Sequence, residues 1–239
     1  MPPSGVEPSG PRDDRHTIVV ADGDVASRAV LDAAWPGWSD GIDAVIAADG
    51  GLLRAKTLGM APDVLIGDLD SVAPEEIELA EADGIEIIRV SVDKDESDTE
   101  LALLETIRRG ATRITVLGAL GGPRLDHALA NVWLLAHPAL AGVRVTLLDA
   151  RTRLDLVSAP GPDGGMVERP LPGPVGGLVS LLPHGGDVTG ITTHGLRYPL
   201  AEEPLVVGPA RGLSNVRTAP DAWVRVRAGR LLVVETAAG

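Results

Sequence analysis

The 239-residue chain reads as α/β: an N-terminal open, mostly parallel sheet with helices on both faces, plus a C-terminal all-β, sandwich-like domain. Three observations predict this. Over the first 150 residues, short β-branched runs alternate with amphipathic stretches, as in strands joined by covering helices. From about residue 151 helical periodicity disappears, Gly and Pro become dense, and short strand-like runs recur. Finally, acidic or glycine-rich segments stand where predicted strands run out, which is where open α/β sheets bind ligands.

In chain order, residues 1–14 are rich in Pro, Ser and Gly and lack an apolar core, so they read as a disordered leader and not a signal peptide. Strands are expected over 16–21, 44–48, 64–67, 85–90, 113–117 and 144–148, within a first domain spanning 15–150. Helices are expected over 26–34, 52–58, 75–82, 98–109 and 125–137. The last carries Leu125, Leu129, Val132, Trp133 and Ala136 on one stripe, so Trp133 is expected in the core. In the second domain, 151–239, strands are expected over 153–157, 178–182, 205–207, 223–227 and 231–235. A long loop is expected over 159–177.

Composition narrows the function. The chain has no Phe, one Tyr, four Trp and no Cys, which excludes disulfides, thiolate metal sites and a thiol nucleophile. Residues 1–150 carry 26 acidic and 12 basic side chains, while the remainder carries 8 and 9. Such an acidic domain is a poor partner for nucleic acid. If it binds a polyphosphate, metal ions must mediate the contact. No apolar run approaches the roughly 20 residues of a membrane helix, and the cytoplasm is the expected location.

The motifs agree with a metal–nucleotide site. In Gly67-Asp68-Leu69-Asp70-Ser71, extended chain would point Asp68 and Asp70 the same way, toward one hard cation. A tight turn accounts for the same residues equally well. In Asp93-Lys94-Asp95-Glu96-Ser97-Asp98-Thr99-Glu100 a capping box explains Ser97, Asp98 and Glu100, and Asp98 also suits the helix dipole. Capping leaves Asp93 and Asp95 unexplained. Asp95 and Asp98 are therefore ligand candidates, and Lys94 can touch a phosphate. The turn over 118–122, with Gly121 and Gly122, opens a helix and can present backbone N–H groups to an anion. It is neither a P-loop nor a dinucleotide fingerprint. Arg124 and Asp126 beside it offer a guanidinium for phosphate and a carboxylate for metal or proton. Asp49 and Gly50 repeat the pattern at an earlier strand end. In the β-half, Tyr198, Ser214 and Asn215 stand out, although hairpin turns account for such segments more often.

Taken in order, Ala48-Asp49-Gly50-Gly51, Gly67-Asp68-Leu69-Asp70-Ser71, Lys94-Asp95-Glu96-Ser97-Asp98, Gly121-Gly122-Pro123-Arg124-Leu125-Asp126-His127 with Asn131, Gly195-Leu196-Arg197-Tyr198 and Ser214-Asn215 resemble the thiamine pyrophosphokinase family over residues 16–235. The resemblance implies an α/β nucleotide domain, a β-sandwich domain and a homodimer. It also implies Mg²⁺-dependent transfer of pyrophosphate from ATP to the thiamine hydroxyl, giving thiamine diphosphate and AMP. Carried over, Asp68, Asp70 and Asp98 hold Mg²⁺ with Asp95 near them, and Arg124 and Asp126 lie beside the phosphates. Ser214, Asn215 and Tyr198 meet thiamine across the subunit boundary. Ser97 stands where the family usually has Thr, and Pro123 lengthens the glycine turn. Two other readings are a pyrophosphokinase for another small alcohol, such as a hydroxymethyl pterin, and a scaffold of the same fold without catalysis. Eroded carboxylates would mark the scaffold, and none is missing.

Overall fold

The computed structural model describes residues 14–161 and 163–237. The expected leader lies outside the described residues except for Asp14, whose carboxylate is 3.5 Å from Arg113.

The first half alternates strand and helix: β1 (His16–Val20), α1 (Arg28–Ala34), β2 (Ile42–Ala48), α2 (Gly51–Thr57), β3 (Val64–Gly67), α3 (Pro74–Ala82), β4 (Glu86–Arg89), α4 (Asp98–Arg108), β5 (Arg113–Leu117), α5 (Leu125–Leu134) and β6 (Arg144–Leu148). These six strands are parallel in the order β6-β5-β1-β2-β3-β4. β1 and β3 are buried throughout because both faces are covered. On one face Ile18, Val20 and Val45 pack against Leu31 of α1 and Ala55 of α2. On the other, Val19, Ile46 and Ala48 pack against Ala102 and Leu103 of α4. Ile46 is fully buried, and truncating it to Ala would cost about 2–5 kcal/mol.

The second half contributes β7 (Thr152–Ala159), β8 (Val167–Pro170), β9 (Leu178–Pro183), β10 (Val188–His194), β11 (Glu203–Leu205), β12 (Asn215–Val216), β13 (Trp223–Val226) and β14 (Gly229–Thr236). β7 pairs antiparallel with β6, so one ten-stranded sheet runs through both halves in the order β12-β9-β14-β7-β6-β5-β1-β2-β3-β4. A separate four-stranded antiparallel sheet, β11-β10-β13-β8, covers its β14–β9 end. Val157, Leu181, Leu231 and Val233 from one sheet meet Ile191, Val224 and Val226 from the other, which is a sandwich core.

Three sequence expectations change. The segment 159–177 is not one loop, because β8 lies within it and ends at Pro170, a residue tolerated on a sheet edge. β10 was not expected. Gly190 takes φ +64°, and the pairing register shifts between Val188 and Ile191, which breaks the period-two alternation. Trp133 is not in the core. It is 59% exposed, with Leu125 and Leu129 on the same outward stripe of α5, while Asn131 and Leu135 face inward. Periodicity showed that the helix has an apolar stripe but not which side the protein covers. Among the described residues no helix is long and apolar enough to cross a membrane.

Candidate active site

β2 and β5 flank β1 on opposite sides, so strand order reverses between β1 and β5, and a crevice opens at their carboxyl ends. The loops after β1, β2, β3, β4 and β5 meet that edge. The chain approaches itself closely here: a Cβ on Gly118, where φ is +70°, would sit 2.4 Å from the Ala21 carbonyl oxygen. Only glycine fits. Gly67 is similarly constrained, with a Cβ there meeting Asp49 Cβ at 3.1 Å and Asp98 Oδ1 at 3.2 Å.

Behind that glycine, Asp49, Asp68 and Asp70 bring one carboxylate oxygen each within 4.8 Å of one another. β2 and β3 are neighbours, and Asp49 donates its N–H to the Ile66 carbonyl at 2.9 Å, which locks the two strand ends together. Asp68 and Asp70 do not converge through extended chain. Leu69 is buried with φ +64°, and Asp70 donates its N–H to Asp68 Oδ1 at 3.3 Å. A left-handed leucine is strained by about 1–2 kcal/mol, and the cluster is what that strain arranges.

The electrostatics are those of a cation site. Asp49 is buried, and its Oδ1 has no hydrogen-bond partner. Burial pushes its pKa up, and the charges of Asp98 and Asp70 push it further. Asp68 is held below its ordinary value by the Asp70 N–H and by Lys94. Lys94 donates to Asp98 Oδ1 at 2.5 Å and to Asp68 Oδ2 at 3.3 Å. Against the pull of burial, these two carboxylates keep it above its ordinary pKa. Three clustered carboxylates, one of them carrying an orphaned buried oxygen, fit a hard divalent ion, which takes carboxylates and dehydrates reluctantly. The lysine supplies part of the missing positive charge.

The remaining candidates divide. Ser97 caps α4, with Glu100 donating its N–H to Ser97 Oγ at 3.2 Å. The capping box is half formed, because the Glu100 carboxylate lies 3.5 Å from His137 instead. Asp98 faces the cluster, whereas Asp95 is exposed. Gly121 and Gly122 follow β5 at the same edge, and Asn131 anchors the turn by donating to the Ala119 carbonyl at 2.9 Å. Arg124 and Asp126 are exposed and paired with each other at 2.5 Å. The Arg124 guanidinium holds the Asp126 carboxyl at about 2.

Tyr198, Ser214 and Asn215 also come together. The Asn215 amide donates to the Tyr198 carbonyl at 2.7 Å and accepts the Tyr198 N–H at 3.0 Å. This clamp leaves the Tyr198 side chain 67% exposed. Ser214, at φ +56°, donates its N–H to Ser180 Oγ. Asn215 begins β12, eight strand positions from β3 in the sheet, or roughly 38 Å at the usual strand spacing. Within one chain, this group and the carboxylates are not one site.

Asp22 was missed. It follows β1 at the reversal point, 3.7 Å from Arg54, and its carboxylate fills the space a Cβ on Gly50 would need. The run Asp22-Gly23-Asp24 is a strand-end signal like that of Asp49-Gly50.

Known proteins place the chain further. The family model described as "Thiamin pyrophosphokinase, catalytic domain" matches residues 38–147. The one described as "Thiamin pyrophosphokinase, vitamin B1 binding domain" matches residues 170–231. Thiamine pyrophosphokinase 1 of rice is 33% identical over 65% of this chain and 59% of its own length. The Bacillus subtilis thiamine pyrophosphokinase is 25% identical over 75% of this chain and 80% of its own. The chain thus spans less than two thirds of the rice relative. Among solved structures, a thiamin pyrophosphokinase family protein from Enterococcus faecalis superposes with a TM-score of 0.76 at 25% identity, covering 94% of this chain and 100% of that one. The crystal structure of the Bacillus subtilis enzyme gives the same TM-score at 22% identity, over 93% and 99%.

Proposed function

The chain belongs to the thiamin pyrophosphokinase family, and we propose that it transfers pyrophosphate from ATP to the hydroxyl of thiamine, releasing AMP. The observation that carries this reading is the convergence of Asp49, Asp68 and Asp70 around an orphaned carboxylate oxygen at the carboxyl edge of the sheet.

In the proposed reaction the thiamine oxygen bonds to the β-phosphorus, the bond from that phosphorus to the α–β bridging oxygen breaks, and AMP leaves with the oxygen. The chemistry is positioning plus charge neutralisation. A Mg²⁺ held by Asp68 and Asp70, with Asp49 and Asp98 beside them and Asp95 further out, would neutralise phosphate charge. Lys94, now between Asp68 and Asp98, would turn to a phosphate once the ion replaces it. Arg124 and the glycine turn would hold the outer phosphate oxygens, and Asp49 and Gly50 the inner edge. The hydroxyl proton passes to a carboxylate. Asp98 and Asp126 are the carboxylates placed to take it.

Thiamine, an aromatic cation, suits an exposed tyrosine with hydrogen-bonding neighbours, which supports assigning it to Tyr198, Ser214 and Asn215. Their separation from the carboxylates within one chain supports a homodimer in which each site combines 15–150 of one copy with 151–239 of the other. The exposed stripe Leu125, Leu129 and Trp133 is a face such a partner can cover. The use of ATP makes the cytoplasm the expected compartment.

The test is AMP release from ATP with Mg²⁺, with and without thiamine, alongside chromatographic detection of thiamine diphosphate. Thiamine-dependent AMP that disappears in EDTA is expected. AMP release that responds to a hydroxymethyl pterin and not to thiamine would move the reading to that acceptor. No AMP with either would leave the scaffold.

A further inference from the structure

On the face of the large sheet that carries α1, a cleft of about 180 Å³ opens between the helix layer and the four-stranded sheet. Layer junctions of this kind are preferred ligand sites. Its floor is β5, β6, β7 and β14, and its walls are the turn after α1, with Trp35 and Trp38, and the end of β8. Arg113 and Arg144 are the first residues of β5 and β6. Those two arginines therefore mark the amino ends of β5 and β6, and the cleft runs along the strands to Arg153 and Glu235, which stand beside Leu148 at the carboxyl end of β6.

Four arginines line it: Arg113, Arg144, Arg153 and Arg169. Arg153 is satisfied, bonded to Asp155 at 3.0 Å and to Thr146 Oγ1 at 3.1 Å. The others are not. Among the described residues the Arg144 side chain has no hydrogen bond or ion pair. Among the described residues Arg169 donates only to the Glu168 carbonyl at 3.0 Å, because the Glu168 carboxylate belongs to Arg225. Arg113 reaches the Asp40 carbonyl at 3.1 Å and the exposed Asp14 carboxylate at 3.5 Å, yet its Nε is buried without an acceptor. The two acids in the cleft do not make up the deficit. Asp155 is taken by Arg153, and burial pushes Glu235 up to about 7. Burial and the nearby Arg144 push Arg169 below its ordinary pKa. Like charges are crowded into a partly desolvated cleft, in a chain of net charge −13.

We infer that this cleft is a second, non-catalytic binding site for a small phosphate-bearing anion. Three guanidiniums with unused donors match a tetrahedral dianion through paired N–H···O bonds. The volume falls below that of a drug-sized pocket, roughly 300 Å³ and upward, so the ligand is a phosphate or small phosphomonoester and not a nucleotide. The inference does not depend on the reading of the carboxylate site.

The test titrates the full-length protein in EDTA, at constant ionic strength, with inorganic phosphate, glycerol phosphate and succinate, followed by calorimetry and thermal shift. Saturable phosphate binding is expected to survive Asp68→Asn/Asp70→Asn and to weaken at least about tenfold in Arg144→Gln/Arg169→Gln. Glycerol phosphate binding as tightly as phosphate identifies a phosphomonoester as occupant, and phosphate alone binding identifies the free ion. Both support the site. Succinate binding equally well, loss of binding in the aspartate variant only, or no saturable phosphate binding overturns it. If the double arginine variant does not fold, Arg144→Gln, at an exposed strand start, carries the same comparison.

Discussion

Glu235→Gln tests how the interior of the large sheet handles charge. Glu235 lies on β14 with its side chain 3% exposed. Its Oε2 accepts the Gly173 N–H at 2.9 Å, while Arg153 and Arg217 stand off at 3.8 Å. Burial outweighs these attractions and raises the carboxyl from 4.5 to about 7. A group that holds its proton more tightly when folded adds stability that is fully present below pH 4.5 and is lost as pH rises through 7. The loss approaches about 3 kcal/mol at pH 8. Glutamine keeps an acceptor for Gly173 and cannot ionise. Urea unfolding of parent and variant at pH 5, 6, 7 and 8 isolates the effect, because every other titrating group cancels in the difference. The variant should gain about 2.5 kcal/mol on the parent between pH 5 and 8, with most of the change between 5 and 7. A pH-independent difference, or one of opposite slope, would refute the reasoning and show that the arginines hold Glu235 ionised throughout.

Asp70→Asn should abolish turnover while leaving the metal-free melting temperature nearly unchanged, because the side chain is exposed. Mg²⁺ with nucleotide should then stabilise the parent far more than the variant, and near-normal turnover at saturating Mg²⁺ would exclude the ligand role. Ser97→Ala should lose about 1 kcal/mol of stability with the cap hydroxyl and keep its turnover; a large fall in turnover at unchanged stability would place Ser97 in the chemistry. Mixing an inactive Asp70→Asn chain with an inactive Tyr198→Ala/Ser214→Ala chain should restore activity at one of two shared sites. Asn215 is unsuitable for that experiment because its amide clamps the Tyr198 backbone. Mixed dimers that regain nothing would show that each chain houses its own pocket.

The parallel strands were legible because strands covered on both faces appear as continuous apolar runs bounded by turns. β10 was not, since one left-handed glycine shifts its register and removes the alternation. For the site, the sequence supplied the acids but not their grouping. Asp49 meets Asp68 and Asp70 because β2 and β3 are neighbours and Leu69 adopts a left-handed conformation, and neither fact is written in local residue types. The Tyr198–Asn215 clamp is equally non-local, since it joins a turn to a two-residue strand. The arginine cleft gave no signal, because its members are single residues on separate strands.

The β6–β7 pairing has a consequence for how the protein comes apart. The segment matching the catalytic family ends in β6, and β7, which lies between the two matched segments, ties β6 through β14 to β9 of the vitamin-binding segment, with Leu147 and Leu154 in one apolar cluster. Severing the chain near residue 150 would leave β6 as an unpaired edge, ready to accept a strand from another molecule. The expected result is an aggregating fragment and not a smaller enzyme. The intact chain should melt in a single transition, as one thermodynamic unit spanning both matched segments.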